Sequence, residues 1–169
     1  MQTESSAIKP IDQLEFRSAL GQFPTGVAVV TAEAPDGSRI GMTVTSFNSV
    51  SLDPPLVLFS IGRNSYSLPG LEAASHYSVN VLSEGQQDVS ARFAKARSDK
   101  WTGVPIRNHD DLPFTLDDCL ATFQCAQFAQ YDGGDHVIFV GRVLRVEQRG
   151  AGRPLVFFGG RYAALAEVA

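Results

Sequence analysis

The sequence predicts a mainly β protein, an antiparallel barrel with a few peripheral helices. Three observations predict it. Short runs rich in β-branched residues recur along the chain and outnumber the helical patterns. Most of these runs are joined by connections of hairpin length. The regular strand–helix alternation of a doubly wound sheet is missing. At 169 residues the chain is one domain with room for a sizeable core. Residues 1–10 read as a flexible N-terminal tail, and 11–169 as the domain.

The elements follow in order. Between Ile11 and Gln22, Phe16, Ala19, Leu20 and Phe23 follow the spacing of one helix face. Gly21 and Pro24 break that run. VAVVTA (27–32) is a strand, PDG (35–37) a turn, and strand character resumes from Arg39 to Phe47. Pro54-Pro55 marks a break, since neither residue can donate to a ladder. LVLFSI (56–61) is apolar enough for a strand buried on both faces. A short helix is expected within 65–75, with proline near its first turn. HYSVNVL (76–82) is a strand, and Ser83 with Gln86 forms a capping box that opens a helix to about Ala94. Residues 95–116 read as irregular, with Trp101 inside. Two long strands, 117–130 and 136–148, are joined by the glycine turn in YDGGDH. PLVFFGG (154–160) is the last strand, and a short helix is expected to close the chain.

Composition excludes several classes. The formal charge is −4 and no basic block or stripe occurs, which argues against a nucleic-acid partner. No apolar run reaches the ~20 residues needed to cross a bilayer. The start, MQTESSAIKP, lacks the regions of a signal peptide, so a cytoplasmic location is expected. Cys119 and Cys125 have neither CxxC nor zinc spacing. On one straight strand they would share a face yet stand too far apart to bridge, and buried free thiols are expected. His76, His109 and His136 lie far apart in sequence, and no metal site is expected. There is no P-loop, no GxGxxG after a strand and no GxSxG elbow.

Three segments carry candidate chemistry. GMTVTSFNSVSLDPP (41–55) places many hydroxyls and amides where a core strand should run. An antiparallel strand with a solvent face would explain alternating Thr and Ser. Thr45, Ser46, Asn48 and Ser49 do not alternate cleanly, however. Gly41 also marks a place where something approaches the backbone closely. Small hydroxyls and free N–H groups at a strand end suit a polar heterocyclic ligand with a phosphate tail. GDHVIFVGRV (134–143) sends His136 out of a glycine turn, either as an exposed strand-edge residue or as a ligand contact. FFGGRYAAL (157–165) places Arg161 and Tyr162 where they could bind an anion or stack on a ring, or simply lie on the surface.

FPTGVAVVT, GMTVTSFNSVSLDPPLVLFS, YSVNVLS, ARFA, GDHVIFVGRV and PLVFFGGRYAAL occur here in one order. In this ordered set, from about Leu14 to Leu165, the chain resembles the short-chain NAD(P)H:flavin reductases of the FMN-binding split-barrel family. These are similar to the reductase components of two-component flavin monooxygenases. The resemblance implies a homodimer built on a six-stranded antiparallel Greek-key split barrel, with the flavin in a groove near the subunit interface. It implies Thr25 and Gly26 near the isoalloxazine, and Thr43, Val44, Thr45, Ser46 and Phe47 along the ring and ribityl chain. Ser60, Ser65 and Ser67 fall at the ribityl-phosphate end. Phe93 and Lys100 approach the flavin from a helix and a loop. His136 is the implied catalytic residue, meeting the nicotinamide, with Arg161 and Tyr162 near the nicotinamide nucleotide.

The implied reaction is reduction of FMN, or FAD, by NADH, or NADPH, with hydride passing to flavin N5 at a near-attack distance of about 3–3.5 Å. Reduced flavin would then pass to a separate flavin-dependent monooxygenase. One competing reading is a non-enzymatic flavin- or haem-binding split barrel that senses or stores its ligand. It has no need of the GDH histidine or the FGGRY segment. Another is a pyridoxamine-phosphate oxidase-like enzyme, which needs clustered basic residues. Arg39, Arg63, Lys95, Arg97 and Lys100 are dispersed along the chain.

Overall fold

The computed structural model describes residues 9–96, 99–149 and 152–166. Most of the expected tail (1–8) and Arg97 lie outside the described residues. Asp12 opens α1 (Gln13–Leu20) by accepting the amides of Leu14 and Glu15, each at 2.9 Å. The expected helix forms, and no residue of α1 is buried. Ile11, Leu14, Phe16, Leu20 and Phe23 all face outward.

The strands are β1 (Thr25–Gly26), β2 (Ala28–Glu33), β3 (Arg39–Val44), β4 (Asn48–Leu52), β5 (Pro55–Gly62) and β6 (His76–Val81). After them come β7 (Ile106–Arg107), β8 (Thr115–Leu116), β9 (Ala121–Gly133), β10 (His136–Gln148), β11 (Val156–Phe158) and β12 (Arg161–Ala163). Seven form one antiparallel sheet in the order β3-β2-β6-β9-β10-β5-β4. The sheet adds one strand to the six implied by the resemblance, and its hydrogen-bonded ladder does not close.

Several expectations shift in detail. The strand expected over 39–47 stops at Val44, and residues 45–47 bend into β4. The paired prolines sit at the tip of the β4–β5 hairpin, where Pro55 already pairs with Leu52. The chain ends among the described residues in β12 and not in the expected helix, because Gly159 and Gly160 take positive φ and fold β12 back onto β11. Cys119 precedes β9, so the cysteines do not share a strand, and both are buried free thiols.

The barrel interior holds Phe59, stacked on Phe139 with centroids 5.3 Å apart and edge-on to Tyr77 at 5.1 Å. A Cβ on Gly141 would stand 2.4 Å from the Tyr77 hydroxyl, so this glycine leaves the space that the ring fills. A second cluster, including Val27, Val29, Leu82, Phe93, Leu116 and Leu155, packs α3 (Gln87–Ala94) against the sheet. The expected capping box opens this segment, with Ser83 N–H donating to Gln86 Oε1 at 3.0 Å. The short α2 (Leu68–Ala73) lies over β3, its Gly70 against Ile40.

Candidate active site

β3 is an edge strand of the open sheet, and among the described residues it is paired with β2 alone. The Gly41 carbonyl accepts from Lys100 Nζ at 3.0 Å, so it points away from β2. The backbone of Thr43, two residues on, points the same way. The outer edge of β3 therefore presents backbone groups that no strand satisfies. Facing it across the seam is β5. One side chain bridges the gap: Ser46 Oγ accepts the Ser60 amide at 2.9 Å and donates to the Ser60 carbonyl at 3.2 Å.

Where the seam stays open lies a cleft of about 590 Å³. One wall is Arg39 and Gly41 to Ser46; the other is Ser60 to Gly62, with the loop Asn64 to Ser67 beyond it. Phe93, Ala94, Ala96, Lys100 and Trp101 close one side, and His136 reaches in from β10. A Cβ at Gly41 would lie 2.3 Å from Phe93 and 3.0 Å from Trp101. The close approach expected at Gly41 is therefore that of an aromatic wall. Trp101 stands edge-on to Phe93, and its indole N–H donates to the Arg39 carbonyl at 3.2 Å.

Among the described residues the lining contains Arg39, Lys100 and His136 but no carboxylate, in a chain of net charge −4. Lys100 Nζ also donates to the Phe93 carbonyl at 3.1 Å, and burial lowers its pKa. Basic residues dispersed in sequence are thus partly gathered in space. Arg39 and Lys100 share this cleft, while Arg63 turns to Asp132 and Gly134.

His136 is held at its turn. Its Nδ1 lies 2.7 Å from Asp135 Oδ1, and the hydrogen bond from the imidazole lowers the Asp135 pKa. The opposite ring nitrogen, Nε2, lies over Gly62, 3.7 Å from where a Cβ would stand.

Thr43, Val44, Thr45 and Ser46 line the cleft, as do Ser60, Ser65 and Ser67; Phe93, Lys100 and His136 complete the set. Two of the expected hydroxyls are already engaged. Ser46 spans the seam, and Thr43 Oγ1 donates to the Ser90 carbonyl at 2.7 Å. Five expected residues lie away from the lining. Phe47 packs on Phe123 at 5.2 Å. Thr25 and Gly26 pair with β11. Arg161 is exposed on β12, and the Tyr162 hydroxyl donates to Ser90 Oγ at 2.8 Å. Arg39, Asn64, Tyr66 and Trp101 line the cleft without having been singled out. Trp101 carried a signal, a lone tryptophan in a polar irregular stretch; the others carried none.

The described residues contain no cluster of three or more His, Cys, Asp or Glu able to hold a metal ion. No helix among them is long and apolar enough to cross a membrane.

An open antiparallel barrel whose seam offers cations, hydroxyls, edge-strand amides and an aromatic wall is a barrel built for an anionic, ring-bearing ligand. Residues 20–166 match the flavin reductase like domain, and the chain belongs to that family. It is 46% identical over 155 residues to the FMN reductase (NADH) SmoA of Agrobacterium fabrum, spanning 87% of this chain and 83% of that protein. It is 40% identical to HsaB, the reductase subunit of a flavin-dependent monooxygenase of Mycobacterium tuberculosis, across 92% and 83% of the two chains. Its fold matches the NADH:FAD oxidoreductase SgcE6 of Streptomyces globisporus, solved with NAD and FAD fragments. The TM-score is 0.87 at 34% identity, over 96% of this chain and 98% of that one.

Proposed function

We propose that residues 11–169 form one catalytic domain that reduces flavin with NADH and releases the reduced flavin to a separate flavin-dependent monooxygenase. FMN is the proposed flavin, with FAD as the alternative. The observation that carries this reading is the carboxylate-free cleft between β3 and β5, with Lys100 on one side and His136 on the other. Its residues fit a flavin. The cleft volume is in the range of cofactor sites, roughly 300–1,000 Å³. The outward N–H of Thr43 is a donor for the polar edge of the ring system. Thr45, Ser65 and Ser67 offer hydroxyls to the ribityl chain and phosphate, and Phe93 and Trp101 supply an apolar wall.

When bound, the flavin supplies the hydride acceptor and NADH the hydride. The chain's own residues then position and stabilise. Backbone amides of the β3 edge and the Lys100 cation, fixed beforehand by the fold, would stabilise negative charge on a flavin held in this cleft. His136 Nε2 would accept a hydrogen bond from the nicotinamide carboxamide. Tyr162 acts indirectly, by fixing Ser90 and so the helix that carries Phe93. Arg161, exposed beside the β11–β12 turn, is left for the outer part of the nucleotide.

A homodimer in the cytoplasm completes the proposal. Its support is the apolar surface of α1 together with Phe128, Tyr131, Leu144 and Val146 on the long β9–β10 hairpin, all exposed in the single chain. Sedimentation of the purified protein tests it, with a monomer as the contrary result.

The direct test of function is NADH oxidation followed by absorbance, with and without FMN, FAD or riboflavin. Turnover that depends on added flavin supports the reductase and ranks the flavins. Tight flavin binding with no turnover from NADH or NADPH would favour the sensor or storage reading.

A further inference from the structure

At the β9–β10 turn two charged groups, Asp135 on the turn and Arg63 reaching it from the end of β5, are left without a task by the proposed reaction. Asp135 precedes His136, and its carboxylate lies 2.7 Å from His136 Nδ1. The turn itself is pinned from the end of β5. Arg63 donates its backbone amide to the Asp135 carbonyl at 2.9 Å and its Nε to the Gly134 carbonyl at 2.8 Å. Its guanidinium reaches Asp132 at 2.5 Å. The backbone of Asp135 is thus fixed from β5, while its side chain is 94% exposed and buries nothing. A carboxylate so exposed contributes little to the fold, yet it touches the one imidazole that enters the cleft.

We infer that Asp135 is a positioning residue for nucleotide binding: by accepting a hydrogen bond from His136 Nδ1, it leaves Nε2 unprotonated as the acceptor facing the cleft. The chemistry follows from the two nitrogens of a neutral imidazole, of which one donates and the other accepts. A carboxylate can only accept, so it selects the tautomer with the proton on Nδ1. Nε2, on the Gly62 side of the ring, then keeps a lone pair for a ligand donor in the cleft that His136 lines. The ligand group that matches is a primary carboxamide N–H, as on a nicotinamide. This inference rests on the reading of His136 as the nicotinamide contact.

The test compares Asp135→Ala, Asp135→Asn and His136→Ala in steady-state kinetics, flavin titration and ¹⁵N NMR of the imidazole. Asp135→Ala is expected to raise KM for NADH roughly three- to tenfold, a modest effect because the pair is solvent-screened. kcat and flavin affinity should change little, and the melting temperature should stay put. The asparagine carbonyl can still accept, so Asp135→Asn should recover part of the loss. The ¹⁵N spectrum should show protonated Nδ1 in the unsubstituted protein and mixed tautomers in Asp135→Ala. If His136→Ala raises KM for NADH while Asp135→Ala leaves both KM and the tautomer unchanged, the inference falls and the reading of His136 stands. If His136→Ala leaves KM for NADH unchanged, that reading falls and the inference with it.

Discussion

Ser46 stitches the open seam of the barrel to Ser60 through both its amide and its carbonyl. One hydroxyl does here what a pair of ladder bonds does between adjacent strands. Replacing Ser46 by Ala should leave the Ser60 amide without this partner and cost about 1 kcal/mol of stability. It should weaken FMN binding as well, since the two walls would no longer be tied. Urea unfolding with and without FMN measures both. Unchanged flavin affinity in a destabilised protein would show the stitch to be structural alone.

Gly41 lies beneath the aromatic wall of the cleft. The added methyl of Gly41→Ala would stand 2.3 Å from Phe93, and overpacking of this kind costs ~1–3 kcal/mol. The expected outcome is a lower melting temperature and weaker FMN binding. Adding Phe93→Leu should restore part of the stability, and a double-mutant cycle reads the coupling.

Lys100 is the half-buried cation of the site. Lys100→Met should weaken FMN binding about tenfold, near 1.4 kcal/mol. Burial holds its pKa below the ordinary lysine value of about 10.4, so the cation is lost as pH rises through that lowered value. FMN affinity should therefore fall on an alkaline limb that starts below the usual lysine range, and Lys100→Arg should remove the limb. The ligand-free fold has the opposite sign. Its pKa is lower folded than unfolded, so stability gains as pH rises through the same window.

Tyr162 tests direct against indirect action. Its hydroxyl is bound to Ser90, whose carbonyl accepts from Thr43. Tyr162→Phe should cost about 1 kcal/mol of stability. KM for NADH should barely move. A large rise in that KM at unchanged stability would make Tyr162 a nucleotide contact.

Cys119 and Cys125 are both buried, and burial pushes each thiol up to about 12. Alkylation at pH 8 should therefore be negligible in the folded protein and rapid in urea. Mass spectrometry of the intact chain reads it.

Much of the architecture was legible because it is written in local patterns. The β2–β3 hairpin followed from β-branched alternation around PDG, and the long β9–β10 hairpin from its glycine turn. β4 was hidden, since NSVSL has weak strand character and gains its strand state from pairing with β5. The apolar face of α1 was legible as a face, but periodicity reveals a face without revealing what covers it. In the cleft, the 41–55 stretch and His136 stood out by residue type, and the family resemblance gave Thr43 to Ser46 and His136 their roles. Arg39 and Asn64 escaped, since only the third dimension brings them to the seam. That Thr43 and Ser46 had already spent their hydroxyls on the protein could not be read from residue type at all.

The outward apolar face of α1 has a thermodynamic consequence. Eight residues are too few to hold a helix in water unaided, below the ~12–15 at which isolated helices become even marginal. A single N-cap offsets little of that deficit. Its folding is therefore coupled to whatever covers it, and its amides become gauges of association. In the proposed dimer, deuterium uptake across Gln13–Leu20 should speed up on dilution while the amides of β6 and β9 keep their protection.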